Sequence, residues 1–244
     1  MKDYEAWAEF GDTLRLPVDP ANDFVATVPW EGAAFDASLP LIDIGPGSGV
    51  TTVALAQRYP DSEVIAVEPD WIMRSLLMLR IAEHTEVRER TTVMPESILD
   101  SWLPDQCGGA LLFNVIYFLG EREREQFWAR MAKVLAPGAS VLMSRSYGAG
   151  DGAVARKLSK SATMGRHEYQ RWFEAQPLED GRVEITNTYV VLRDGEVVRE
   201  EQTQVTPYGL SEDHVVDEIP VGQFGIEELD EEFLAIRRHP DIIR

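Results

Sequence analysis

Leu41-Ile42-Asp43-Ile44-Gly45-Pro46-Gly47-Ser48-Gly49 runs a short apolar strand into three alternating glycines, with an acid two residues before the first of them. Glycine lets backbone approach a ligand where any Cβ would collide, and it reaches positive φ without steric cost, so the chain can turn sharply here. The next residues, Val50-Thr51-Thr52-Val53-Ala54-Leu55-Ala56-Gln57-Arg58, contain no helix breaker and carry apolar side chains at 50, 53, 54 and 55. That pattern predicts a helix directly after the turn.

A dinucleotide-binding turn shares half of this pattern. Its fingerprint is G-x-G-x-x-G/A, in which the third small residue allows close helix–strand contact. Counted from Gly45, that third place is Val50, and the glycine falls one residue early, at 49. The register therefore argues against NAD. Asp43 argues the same way, because a carboxylate in the strand below the loop repels a pyrophosphate and attracts a cationic ligand.

The next strand strengthens the reading. Glu63-Val64-Ile65-Ala66-Val67 is a β-branched apolar run that ends in Glu68, followed by Pro69-Asp70 and a helical stretch from about 71 to 83. An acid at the tip of a second strand is placed to accept hydrogen bonds from both ribose hydroxyls of a nucleoside. Nineteen residues separate Gly49 from Glu68, which fits one βαβ crossover.

From about residue 39 to 145 the chain resembles the class I S-adenosylmethionine-dependent methyltransferases, particularly the small-molecule enzymes. Asp43 to Gly49, including Gly45, Pro46 and Gly47, looks like that family's first motif, D-x-G-x-G-x-G. Glu68, followed by Pro69, stands where the ribose-binding acid stands, and Met73 stands where an apolar side chain lies on the adenine. Leu111-Leu112-Phe113-Asn114-Val115-Ile116-Tyr117-Phe118-Leu119 resembles the fourth strand and its exit, which faces the methionine part of the cofactor. Phe127 to Leu135, Ala136-Pro137-Gly138 and Ser140-Val141-Leu142-Met143 follow the family's helix, turn and fifth strand.

Two departures stand out. The family's third segment commonly reads G-D-A, and here it reads Met94-Pro95-Glu96-Ser97, which leaves Glu96 or Ser97 for the adenine amino group. Tyr117-Phe118 occupies a place where many relatives carry histidine, so no catalytic base is carried over there. The resemblance implies a Rossmann-like fold of class α/β: a seven-stranded, mostly parallel sheet with helices on both faces. It also implies S-adenosyl-L-methionine as cofactor and S-adenosyl-L-homocysteine as its product.

The sequence has 23 basic against 42 acidic residues, a formal net charge of −19. Such a chain repels a phosphate backbone that depends on Lys and Arg for binding, so nucleic acid is a poor substrate. Cys107 is the one cysteine, which excludes an internal disulfide, a multi-cysteine zinc site and a cysteine-held iron–sulfur cluster. No metal site is expected. The first residues lack a basic segment leading into an apolar one, and no stretch approaches the roughly 18 apolar residues that span a bilayer, so a cytoplasmic protein without membrane contact is expected.

With 244 residues, one α/β domain over 1–244 is expected, in three parts. Residues 1–36 read as an N-terminal cap, with Tyr4, Trp7, Phe10, Phe24 and Trp30 scattered among acids and the turn Pro17-Val18-Asp19-Pro20. Residues 37–145 read as the cofactor half, with strands alternating with helices. Residues 146–244 read as the acceptor side. There Tyr147 to Gly152 has the composition of a hinge, and a helix-compatible stretch with Arg156, Lys157, Lys160, Arg166 and Arg171 follows. Two β-rich runs, 183–192 and 197–205, joined through Asp194-Gly195, form a hairpin inserted after strand five. Leu210 to Ile219 suits a short helix, and 224–236 the last antiparallel strands. In similar enzymes such a hairpin closes the site or pairs subunits in a homodimer, and simple sheet extension is the third reading.

Methyl transfer from a sulfonium is an in-line displacement in which protein supplies position and desolvation. An amine acceptor need only arrive neutral, whereas a hydroxyl or carbon acid needs a proton acceptor. His167, in Arg166-His167-Glu168-Tyr169, is the candidate base, and Tyr117 and Tyr147 are candidate pocket residues. The expected function is methyl transfer to N, O or C of a small molecule in specialised metabolism. A non-methylating reaction in the same cleft, such as a cyclisation, and a non-catalytic cofactor sensor are the alternatives.

Overall fold

The computed structural model describes residues 3–14, 25, 35–145 and 152–240. The expected cap residues Phe24 and Trp30, the turn 17–20, most of the 147–152 hinge, and Tyr147 with it lie outside them. The chain divides into two compact units, 20–147 with 212–244, and 1–19 with 148–211.

The first unit is built on a seven-stranded sheet. Its strands are β1 (Leu41–Ile44), β2 (Val64–Val67), β3 (Thr91–Met94), β4 (Cys107–Leu112), β5 (Leu135–Ser144), β10 (Phe224–Glu228) and β11 (Phe233–Arg238), in the order β10-β11-β5-β4-β1-β2-β3. β1 to β5 are mutually parallel where they pair, and β11 and β10 add antiparallel strands beyond β5. Every residue of β1, β2 and β4 is buried, as expected of parallel strands covered on both faces.

Helices α2 (Val50–Arg58), α3 (Trp71–Ala82), α4 (Thr85–Arg88), α5 (Glu121–Val134) and α6 (Glu212–Glu218) belong to this unit. Asp70 caps α3, its Oδ1 accepting the backbone N–H groups of Ile72 and Met73 at 2.9 Å each. The core joins Leu41, Val64, Ala66 and Leu111 of the sheet to Leu55 and Ala56 of α2 and Leu77 and Ile81 of α3. The chain lays β2 and β3 to one side of β1 and then returns to lay β4 on the other. The carboxyl ends of β1 and β4 therefore flank the reversal of strand order, where open α/β sheets bind ligands.

The second unit is a four-stranded antiparallel sheet, β6 (Val154–Met164), β7 (His167–Pro177), β8 (Val183–Arg193) and β9 (Glu196–Val205), with α1 (Asp3–Thr13) packed on one face. Ala6, Phe10 and Leu14 bury against Tyr189 and Val191. The Asp194-Gly195 hairpin forms as expected, with both residues at positive φ.

Two expectations are corrected. Residues 156–171 are not helical: they belong to β6 and β7. β6 is an edge strand whose side chains are almost all exposed, so it lacks the apolar alternation that marks a half-buried strand. Ala136-Pro137-Gly138 is not a free turn. α5 runs straight into β5, and Gly138, at φ 83°, sits where β5 advances five residues, from 135 to 140, while β4 advances two, from 107 to 109. Residues 212–244 join the larger sheet through β11 pairing with β5.

Candidate functional site

The turn from β1 into α2 is built by its glycines. Gly45, Gly47 and Gly49 have φ of 64°, 59° and 84°, left-handed values that L side chains avoid. A Cβ on Gly45 would lie 2.5 Å from Val115 Cγ2, and one on Gly49 would land on Leu77 Cδ1, 3.2 Å from the Leu77 Cα. These two glycines serve close packing. Gly47 differs, since a Cβ there would meet only Met73 Cε at 3.4 Å, so its backbone is free to face a ligand. The Pro46 carbonyl closes the turn by accepting the Gly49 N–H at 3.0 Å, and Arg80 Nε holds the Ser48 carbonyl at 2.8 Å.

Asp43 lies under this turn, 2 % exposed. Its Oδ2 accepts the hydroxyls of Thr51 at 2.9 Å and Thr52 at 2.6 Å. Among the described residues no cationic side chain pairs with it, and burial, only partly offset by the two hydroxyls, pushes its pKa up to about 6.

Glu68, one residue past β2, is 6 % exposed. Its Oε2 accepts the Gly47 N–H and its Oε1 the Asp70 N–H, both at 2.9 Å, so the carboxylate ties the glycine turn to the exit of β2. Burial pushes its pKa up to about 7, against the pull of these two amides and with smaller contributions from Asp70 and Asp43. Arg74 Nη1 bonds the main-chain carbonyls of Glu68 and Pro69, at 2.8 and 2.9 Å, and so fixes the backbone on which Glu68 stands.

Two buried carboxylates on adjacent strand ends, neither neutralised by a base among the described residues, are costly in the free protein. The donor set fits a ligand that brings positive charge and hydroxyl donors. Each Glu68 oxygen keeps a second lone pair for a ribose hydroxyl, and Asp43 Oδ1 has no donor among the described residues. Met73, 3 % exposed, lies beside the Gly47 turn.

Phe113 and Asn114 follow β4 on the other side of β1. Phe113 packs its ring 5.3 Å from that of Phe233. Asn114 is exposed and held at φ 58°, with its N–H donating to Ser144 Oγ at 3.0 Å; strained non-glycine backbone of this kind collects at functional sites. Glu96 is exposed beyond β3, and Ser97 Oγ accepts the Leu99 N–H at 3.1 Å within the next turn. Tyr117 is half-buried in a 3₁₀ turn, Ile116–Phe118, with its ring 4.8 Å from that of Phe118. His167 is the first residue of β7, in the four-stranded unit, its ring 6.3 Å from that of Tyr169.

The structure thus brings Asp43, Gly45, Pro46, Gly47, Gly49, Glu68, Pro69 and Met73 into one bonded constellation, with Phe113 and Asn114 on the neighbouring strand end. Sequence reasoning missed Thr51 and Thr52, Arg74 and Arg80. The two threonines carried a signal, because hydroxyls one turn into a helix can face the strand before it; the arginines, bonding main-chain carbonyls, carried none.

Residues 41–138 match a family model described as a methyltransferase domain. Among solved structures, the chain is similar to CalS10, an amino pentose methyltransferase from Micromonospora echinaspora solved with S-adenosylmethionine bound. The TM-score is 0.71 at 15% identity, covering 96% of this chain and 97% of that one. It is likewise similar to the CcbJ methyltransferase from Streptomyces caelestis, with TM-score 0.69, 16% identity, and 92% and 91% coverage. A tRNA (guanine-N(7)-)-methyltransferase from Nocardioides sp. (strain ATCC BAA-499 / JS614) is 38% identical over 65 residues, a stretch that spans 26% of this chain and only 25% of that enzyme. With a methyltransferase-domain model matching residues 41–138, the chain has the Rossmann-like α/β fold of the methyltransferase structures it is similar to.

Proposed function

We propose that this protein transfers a methyl group from S-adenosylmethionine to N, O or C of a small-molecule acceptor. The observation that carries the reading is the pair of buried carboxylates without a cationic partner among the described residues, Asp43 below the glycine turn and Glu68 at the tip of the next strand. S-adenosylmethionine, when bound, supplies the electrophilic methyl group. Glu68 would accept the ribose hydroxyls, Asp43 would compensate positive charge at the methionine end, Met73 would lie on the adenine, and Phe113 and Asn114 would border the methionine portion. Glu96 and Ser97 are the candidates for the adenine amino group.

The chain's contribution to rate is orientation and exclusion of water around an in-line displacement. For an amine acceptor no base is required; for a hydroxyl or carbon acceptor, His167 is the candidate base, while Tyr117 is a candidate pocket residue and Tyr147 lies outside the described residues. The net charge of −19 disfavours a nucleic-acid acceptor, despite the short stretch of identity to a tRNA enzyme. Among the described residues, no helix is long and apolar enough to cross a membrane.

The test is turnover. The full chain is incubated with S-adenosylmethionine and a panel of small acceptors, beginning with amino sugars because CalS10 methylates an amino pentose. S-adenosylhomocysteine formed in equal amount to a methylated product supports the reading. Product without loss of the methyl donor would replace it with a non-methylating reaction, and binding without product on any acceptor would replace it with a cofactor sensor.

A further inference from the structure

β6 and β7 carry a basic stretch that includes Lys157, Lys160 and Arg171. Its strands are out of simple register: Leu158 pairs with Trp172 but Lys160 with Arg171, so Ser159 is the extra residue of a bulge. A bulge re-aims the side chains that follow it. Here it moves Lys160 onto the sheet face that carries Lys157, opposite Phe173, and Arg171. Asn187 and Tyr189 of β8 share that face, opposite Phe173 and Arg171.

Arg171 is held in place from three sides. Its guanidinium carbon lies 5.3 Å from the ring centre of Trp7 and 5.9 Å from that of Phe173, and its Nε donates to Asn187 Oδ1 at 2.8 Å. Asn187 is itself 7 % exposed. The arrangement leaves Nη1 and Nη2, the outer edge of the fork, without a partner among the described residues. Two carboxylates of the same face, Glu9 and Glu201, both go to Arg199, at 2.6 and 3.2 Å.

Among the described residues no acid pairs with Arg171, and Lys160 stands directly opposite it. Like charges placed opposite each other destabilise a sheet, and a half-buried guanidinium without an anion is unfavourable. Both costs disappear if an external oxyanion sits between the two strands. We propose that Arg171, Lys160 and Lys157 form a binding site for a phosphate-bearing ligand. The free edge of a guanidinium matches two phosphoryl oxygens, and three cations call for a multiply charged group such as a diphosphate rather than a single carboxylate. The site stands independently of methyl transfer.

The probe is inorganic pyrophosphate, titrated calorimetrically into the full chain at low and at moderate salt, with a nucleoside diphosphate and succinate run in parallel. One pyrophosphate per chain is expected, bound more weakly as salt rises. Lys157→Glu with Lys160→Glu, both exposed positions, should weaken it by at least roughly tenfold, and Arg171→Gln should do the same. Lys160→Thr should raise the melting temperature of the free chain while lowering pyrophosphate affinity, a pairing that a purely structural lysine would not give. A nucleoside diphosphate that binds more tightly than pyrophosphate identifies an organic carrier; equal binding identifies the free diphosphate. Absence of binding at millimolar pyrophosphate, unchanged affinity in the charge-reversed variant, or succinate binding as tightly as pyrophosphate would overturn the proposal.

Discussion

Replacing Asp43 with Asn should make the free protein more stable and its cofactor complex weaker. The carboxyl is 2 % exposed, has hydroxyl partners but no base among the described residues, and titrates at about 6 instead of 3.8. Its folded-state pKa is raised, so the folded protein holds a proton that the unfolded chain has released. The associated stability is present below pH 3.8 and is lost as pH rises through about 6. The shift from 3.8 to about 6 corresponds to about 3 kcal/mol of destabilisation from the ionised form at pH 8, and about half of that at pH 5. An amide of the same shape removes the charge, and the Thr51 and Thr52 hydroxyls can turn to meet it. Asp43→Asn should therefore gain about 1–3 kcal/mol at pH 8 and clearly less at pH 5. Denaturant unfolding at the two pH values measures this, both lying above the isoelectric point of about 4.6. Cofactor binding should fall by about 1–3 kcal/mol in the same variant, because a ligand donor loses its charged acceptor. Equal or lower stability of the variant at pH 8, or a gain that does not shrink toward pH 5, would refute the claim that this carboxylate is buried at a cost for the sake of a ligand.

Other outcomes follow from the same geometry. Gly49→Ala combines φ 84° with a collision on Leu77 and should cost the fold roughly 2–4 kcal/mol in chemical denaturation. Gly47→Ala, with φ 59° but only Met73 Cε at 3.4 Å, should cost the fold about 1–2 kcal/mol while weakening S-adenosylmethionine more than Gly49→Ala does in whatever fraction remains folded. Cofactor affinity measured by calorimetry should rise from pH 5.5 and level off only above about 8, because a cationic ligand favours the ionised forms of Asp43 and Glu68; a flat profile would contradict that. Arg74→Met should weaken the cofactor through Glu68 without altering the pH at which binding levels off, since Arg74 holds main-chain carbonyls and not the carboxylate.

The cofactor half was legible because its cues are local and strong. Three alternating glycines dictate a left-handed turn, β-branched runs at the right spacing dictate parallel strands, and Asp194-Gly195 dictates a hairpin. What escaped were features set by partners distant in sequence. β6 read as helix-compatible because an exposed edge strand needs no apolar alternation, although Tyr169, Arg171, Phe173 and Ala175 on β7 do alternate with Glu168, Gln170, Trp172 and Glu174. The Ala136-Pro137-Gly138 segment resembled a turn because proline and glycine usually mark one, whereas pairing with β4 draws it into β5. Arg74 and Arg80 were invisible because their partners are main-chain carbonyls, which any residue supplies.

The carboxylate Glu68 joins the glycine turn to the second strand, and its removal tests the central claim most directly. Calorimetric titration of S-adenosylmethionine into the wild-type chain and Glu68→Gln at pH 8 should give one site per chain in the wild type. The variant, with one of two acceptor oxygens replaced by an amide donor, should bind more weakly by about 1–3 kcal/mol. A wild-type chain that takes up no S-adenosylmethionine, or a variant that binds it with unchanged affinity, would contradict the account.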